Sequence, residues 1–262
     1  MKFEAILNDS VNFTRDTLLG NPVRWLIFVL LGLPGGLLPF ALGIRDMADK
    51  TAFHWELVHW DRVAALVVLM LLASFLLSGY IVRIYRGGAT PPAFDRWAGM
   101  FLDGIKLCIV WLIWMLPALI VTLVAFVFLF GAVAMGGHSP AGLGLIGLML
   151  VLMLAALVLV LGAVILGTIG AIRFARTGSV MEGLNFHEIV RTIERIGWWD
   201  YVITLIILIA FALIFAIVTG ILNLVPFIGW VLVLIAAPPL TVLCARFVSL
   251  VYDAGVPPAP AG

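Results

Sequence analysis

Charge is scarce in this chain. Asp, Glu, Lys and Arg make up 11% of its 262 residues, against about 25% in a water-soluble domain. Net charge is only +1, so no general basic character points to nucleic acid as a partner. Cysteine is also rare. Cys108 and Cys244 are the only two, which excludes a disulfide framework. Each lies two residues from a charge at the end of an apolar run (Lys106 and Arg246), and both are expected to be buried free thiols. The N-terminus is not expected to be a cleavable signal, because Glu4, Asp9 and Asp16 precede the first apolar run and no convincing small-residue cleavage site follows it.

What fills the space is hydrocarbon. Apolar residues account for 64% of the chain and mean hydropathy is +1.23. A soluble fold has too little polar cover to hide that much apolar surface, so the bilayer must be the solvent for much of it. A hydrocarbon core of ~30 Å is crossed by about 20 helical residues. Six segments reach that length, at 24–44, 63–85, 105–135, 142–174, 201–223 and 226–251. Pro34, Gly35, Gly36 and Pro39 are expected to break or kink the first. Lys and Arg orient the bundle. With the N-terminus inside, only Arg45, Lys50 and Arg62 of the 15 basic residues lie outside. Both termini are therefore placed in the cytoplasm, in the cell membrane.

The polar stretches between these runs follow a pattern. From Phe94, the residues Phe94, Trp97, Phe101, Leu102 and Ile105 share one helical face, with Asp95, Gly99, Asp103 and Lys106 on the other. Phe186, Ile189, Val190, Ile193 and Ile196 repeat it, opposite His187, Glu188, Arg191, Glu194 and Arg195. Phe3, Ile6, Leu7, Val11 and Leu18 do so again. Each reads as a short helix lying in the interface, apolar side toward lipid. "RIYRGG" (Arg83, Arg86, Gly88) and "RFARTG" (Arg173, Arg176, Gly178) close two of the spans that follow, and Arg246 keeps the first arginine near the third. The expected fold is thus all-α: a polytopic integral membrane protein, one membrane domain over 1–262. Its six transmembrane helices form three pseudo-repeated units, 3–88, 94–178 and 186–252. Each unit is an amphipathic interfacial helix plus a transmembrane hairpin, and a flexible tail follows at 253–262.

The region "GYIVRIYRGGATPPAFDRWAGMFLDGIKLCIVWLIWMLP" resembles the signature of an archaeal membrane family catalogued as domain of unknown function 4013. The residues that carry the likeness are Gly79, Tyr80 and Arg83; Pro92, Phe94, Asp95 and Trp97; Asp103, Gly104 and Lys106; and Pro117. "RFARTG", "NFHEI", "WWDY" and "VPFIGW" also fit, so the likeness runs over nearly the whole chain. It implies the fold and an archaeal origin, and no chemistry.

Candidates for chemistry are few. Burying charge in lipid is costly, so an ionisable residue inside a span marks function. The spans hold only hydroxyls such as Ser74, Ser78, Thr122, Thr168, Thr204 and Thr219, each able to bond its own helix backbone. This argues against a proton-coupled transporter, an intramembrane protease or a charged channel filter. The outer loop carries His54, Glu56, His59 and Asp61, a conceivable metal set. The i,i+5 histidines miss the zincin spacing, while Trp55 and Trp60 favour an aromatic belt at the interface. The expectation is a protein without catalysis, cofactor or metal: a scaffold or accessory subunit that touches lipid headgroups, a membrane partner or a second copy of itself. The contacts would be made by Arg83, Arg86, Asp95, Trp97, Asp103, Lys106, Arg173 and Arg176. The alternative is a transporter or channel for an uncharged or lipid-like solute, passing beside the proline-bearing first and last spans.

Overall fold

The computed structural model describes residues 1–43, 58–225 and 228–255, and among these every regular element is helical. The helices are α1 (Phe3–Leu18), α2 (Pro22–Ala41), α3 (Trp60–Tyr85), α4 (Trp97–Ala134), α5 (Pro140–Thr177), the single turn α6 (Val180–Gly183), α7 (Phe186–Ile196), α8 (Trp198–Asn223) and α9 (Gly229–Gly255). Six of them, α2, α3, α4, α5, α8 and α9, are long and apolar enough to cross a membrane. Two compact units form: Met1–Leu107 with Ile193–Gly262, and Cys108–Thr192. These do not follow the expected repeat boundaries, because α1 packs along α9 and so draws both ends of the chain into the first unit.

Local chemistry sets the helix ends. Asn21 caps α2 by accepting the Arg24 N–H at 3.4 Å, and Pro22 occupies the first turn, where its missing N–H costs nothing. Ser139 accepts the Gly142 N–H at 3.0 Å and Pro140 opens α5. Gly178, at φ +74°, ends α5 by returning its N–H to the Phe174 carbonyl at 2.8 Å. Gly197, at φ +95°, separates α7 from α8.

Three expectations change. First, α2 is not broken: it runs through Pro34 and Pro39, as α9 runs through Pro238 and Pro239. A transmembrane helix tolerates proline when another donor reaches the freed carbonyl. Pro239 leaves the Ile235 carbonyl without its i+4 donor, and the Trp25 indole N–H of α2 supplies one at 3.0 Å.

Second, the helix expected from Phe94 as a separate interfacial piece is the beginning of α4. Phe94 itself precedes the helix, which continues without interruption past Lys106. Gly99, Asp103 and Gly104 do not interrupt it, and Gly104 is retained inside the helix for a packing reason given below.

Third, the apolar faces of α1 and α7 are covered by protein. Ile189 and Ile193 are fully buried and Ile196 nearly so. In α1 the covered face is Ser10, Phe13, Thr14, Thr17 and Leu18, while Val11 is 46% exposed. Those three hydroxyls bury without penalty because each donates to the carbonyl four residues back: Ser10 to Ile6, Thr14 to Ser10, Thr17 to Phe13. Of the tail expected over 253–262, residues 253–255 are the last turn of α9. Residues 256–262 lie outside the described residues.

Candidate functional site

The motif-rich stretch after α3 is where most of the candidate residues meet, and its geometry begins with two glycines. A Cβ on Gly79 would overlap the Met100 carbonyl oxygen, and one on Gly104 would overlap the Phe75 carbonyl oxygen. The C-terminal half of α3 and the first turns of α4 therefore cross backbone against backbone. Lipid tails are as apolar as leucine, so helix contact within a membrane depends on such close approach rather than on expelling water.

An aromatic stack pins the connecting loop to this crossing. Tyr80 is fully buried. Its hydroxyl donates to the Pro92 carbonyl at 3.1 Å, and its ring lies on Phe94 with centroids 4.3 Å apart. Phe28 of α2 meets both rings edge-on, at 5.0 Å from Tyr80 and 5.4 Å from Phe94. Trp97 continues the stack at 5.7 Å from Phe94 and remains 44% exposed.

Charges complete the closure. Arg83 donates through Nη1 to the Ala93 carbonyl and to Asp95 Oδ1, both at 2.5 Å, and through Nη2 to the Asp95 carbonyl at 2.7 Å. The planar guanidinium suits this threefold grip in a way an ammonium would not. Arg86 Nη2 donates to Asp103 Oδ2 at 2.7 Å. Held from both sides, Arg96 takes a left-handed backbone at φ +42°, and its carbonyl accepts the first turn of α4 from Met100 N–H at 3.1 Å. Such a conformation costs a non-glycine residue roughly 1–2 kcal/mol, so it persists only because the flanking contacts impose it.

Two further arginines are used in the same manner. Arg246 of α9, its side chain 7% exposed, donates Nε to Asp9 Oδ1 of α1 at 2.9 Å and Nη1 to the Gly88 carbonyl at 2.7 Å. It also stands 4.6 Å above the Phe13 ring, a cation–π contact. In the second unit Arg173 of α5 donates to Glu182 Oε2 at 2.6 Å and lies 3.9 Å from Glu188. Nearby, the Trp114 indole N–H donates to the Gly183 carbonyl at 3.1 Å.

Of the eight candidate residues, the fold brings together Arg83 with Asp95 and Arg86 with Asp103. Arg173 finds two carboxylates that were not among the candidates. Trp97, Lys106 and Arg176 are exposed, the first two on α4 and the third at the end of α5. Asp9, as partner of Arg246, was missed. No local signal links residues 237 positions apart.

The remaining polar groups are occupied by backbone. Ser74, Thr122, Thr168, Thr204 and Thr219 each donate to a carbonyl three or four residues earlier. Cys108 and Cys244 are not joined in a disulfide. His54, Glu56 and Trp55 fall outside the described residues, while His59 precedes α3 and Asp61 lies in its first turn. Among the described residues no three His, Cys, Asp or Glu side chains gather as metal ligands. The arrangement is that of a brace: every arginine pair above joins a helix end to a loop or to another helix.

A family model described as "Protein of unknown function (DUF4013)" matches residues 63–224. No curated protein and no solved structure matches the chain.

Proposed function

This chain belongs to the DUF4013 family of proteins of unknown function, and from that premise we propose that it is a non-catalytic membrane scaffold or accessory subunit. The observation that carries the reading is the fate of its arginines. Arg83, Arg86, Arg173 and Arg246 are each spent on an internal carboxylate rather than turned toward a cleft. Contacts with lipid headgroups, a membrane partner or a second copy then fall to the exposed candidates Trp97 and Lys106.

The same pairs support a threefold organisation. Arg83 of the first repeat is held by Asp95 of the second, and Arg173 of the second stands near Glu188 of the third. Arg246 of the third returns to Asp9 of the first. Each repeat so grips the next, and the last grips the first. Placement in the cell membrane with both termini cytoplasmic is supported by the excess of Lys and Arg on that side. An archaeal origin is what the family likeness implies.

The transporter alternative is less well supported. A solute path beside the prolines of α2 and α9 has to pass a tight seam. A Cβ on Gly32 would stand 2.5 Å from Leu234 and one on Gly36 would stand 2.9 Å from the Trp230 ring. The space left beside Pro238 is about 100 Å³.

The test is co-purification in mild detergent of wild type and of Trp97→Ala/Lys106→Glu. Loss of a co-purifying protein, or of self-association, with the helical content intact is the expected result. An identical set of companions and an identical oligomer size in the variant would count against the scaffold reading.

A further inference from the structure

Between α1, α8 and α9, all within the first unit, lies a groove of about 300 Å³ lined by Thr14, Phe211, Phe215, Val218, Pro239 and Leu243, among others. Its walls ask for no hydrogen bond. The Thr14 hydroxyl already donates to the Ser10 carbonyl at 2.8 Å, and every other named wall is hydrocarbon. Residues 201–223 of α8 and 229–245 of α9, the two long walls, are free of Asp, Glu, Lys, Arg and His. Ile214, also on the lining, is 60% exposed, so the groove opens sideways along the apolar flank of α8. Water gains nothing in such a space, since a buried water needs two to four polar partners.

At the α1 edge the chemistry changes in a single step. Arg15 follows Thr14, is exposed, and makes no ion pair among the described residues. It sits in the last turn of α1, just before the chain re-enters an apolar helix. An exposed guanidinium carried by the residue next to a wall of a hydrocarbon-lined groove is complementary to one amphiphile, an anionic phospholipid. At about 300 Å³ the groove has room for part of one acyl chain.

We propose that this groove holds one acyl chain of a resident anionic phospholipid whose phosphate is taken by Arg15. The lipid would seal α8 to α1 and α9 and would stay with the protein when bulk lipid is exchanged. The proposal rests on α8 and α9 being membrane spans. A wild-type protein that did not enter vesicles would overturn that premise before any lipid was counted.

The experiment is reconstitution into phosphatidylcholine vesicles doped with phosphatidylglycerol, then extraction in mild detergent and native mass spectrometry. Wild type is expected to retain one lipid per chain, with phosphatidylglycerol preferred roughly fivefold, the weight of one basic residue beside an anionic headgroup. Ala236→Trp, which fills the groove, should lose the retained lipid of either kind. Arg15→Gln should keep one lipid but lose the preference. Leu213→Trp, on the outer side of α8, should behave as wild type. Should Ala236→Trp not fold, Val218→Phe takes its place. A groove-filled variant that retains the same single lipid, or a wild type that shows only a graded ladder of adducts, overturns the groove. An unchanged preference in Arg15→Gln overturns the headgroup assignment.

Discussion

Arg246 and Asp9 stand 237 positions apart in the chain and meet at 2.9 Å. The arginine side chain is almost fully covered and the aspartate about half exposed. Asp9→Asn is expected to destabilise the protein by about 1–2 kcal/mol, the lower part of the range for a hydrogen bond between charged groups, because solvent screens the exposed carboxylate. Arg246→Met in the Asp9→Leu background should cost less than the two single changes added together. Thermal unfolding in detergent of all four proteins measures the coupling.

A methyl group at the α3–α4 crossing has nowhere to go. Gly79→Ala and Gly104→Ala each drive a Cβ into a backbone carbonyl that cannot rotate aside. Overpacking of this kind costs about 1–3 kcal/mol. Gly99→Ala is the control, since nothing lies within 4 Å of its Cβ position; there the helix should gain roughly 0.5–1 kcal/mol. Melting temperatures that fell equally for all three would contradict the backbone-contact account.

The Trp25 indole answers the carbonyl that Pro239 leaves open. Trp25→Phe removes the only donor identified for it, at a cost of about 1–3 kcal/mol. In a Pro239→Ala background the α9 backbone supplies its own N–H, and the same substitution should cost markedly less. A double-mutant cycle without coupling would remove the rescue argument.

Arg83→Lys should loosen the loop between α3 and α4 despite conserving charge. One ammonium cannot hold the Ala93 carbonyl, the Asp95 carboxylate and the Asp95 carbonyl in the planar grip seen here. Limited proteolysis with a protease that cuts after arginine should then cleave at Arg86 or Arg96 faster than in wild type.

Much of this architecture is legible from residue order. Six apolar runs became six long helices because hydrocarbon length is a one-dimensional property of a sequence. The amphipathic face of α7 was visible at helical spacing for the same reason. What covers that face was not visible: lipid and a neighbouring helix are equally apolar, so periodicity cannot distinguish them, and Ile189 and Ile193 proved to face protein. Residue order left a break or a kink open at Pro34 and Pro39, because whether a helix continues through proline depends on donors from elsewhere, as Trp25 illustrates for Pro239. Around Arg83 and Arg86 the paired carboxylates Asp95 and Asp103 lie within a short span of chain, so residue order brings them into one reading. The partners of Arg246 and Arg173, Asp9 and Glu182, were not marked by spacing, because nothing in the local pattern ties a carboxylate to an arginine on another helix.

The clasp between α1 and α9 also has a schedule. Asp9 leaves the ribosome 237 residues ahead of Arg246, whereas both partners of Arg173 follow it within about fifteen residues. Contacts between distant segments wait for the whole intervening chain, and translation proceeds at about 5–20 residues per second. For some ten to fifty seconds of each molecule's birth, the first helix must hold with only part of its dock, Phe28 and Tyr80 beside Phe13 and Leu18, before Val242 and Ala245 of α9 arrive to complete it.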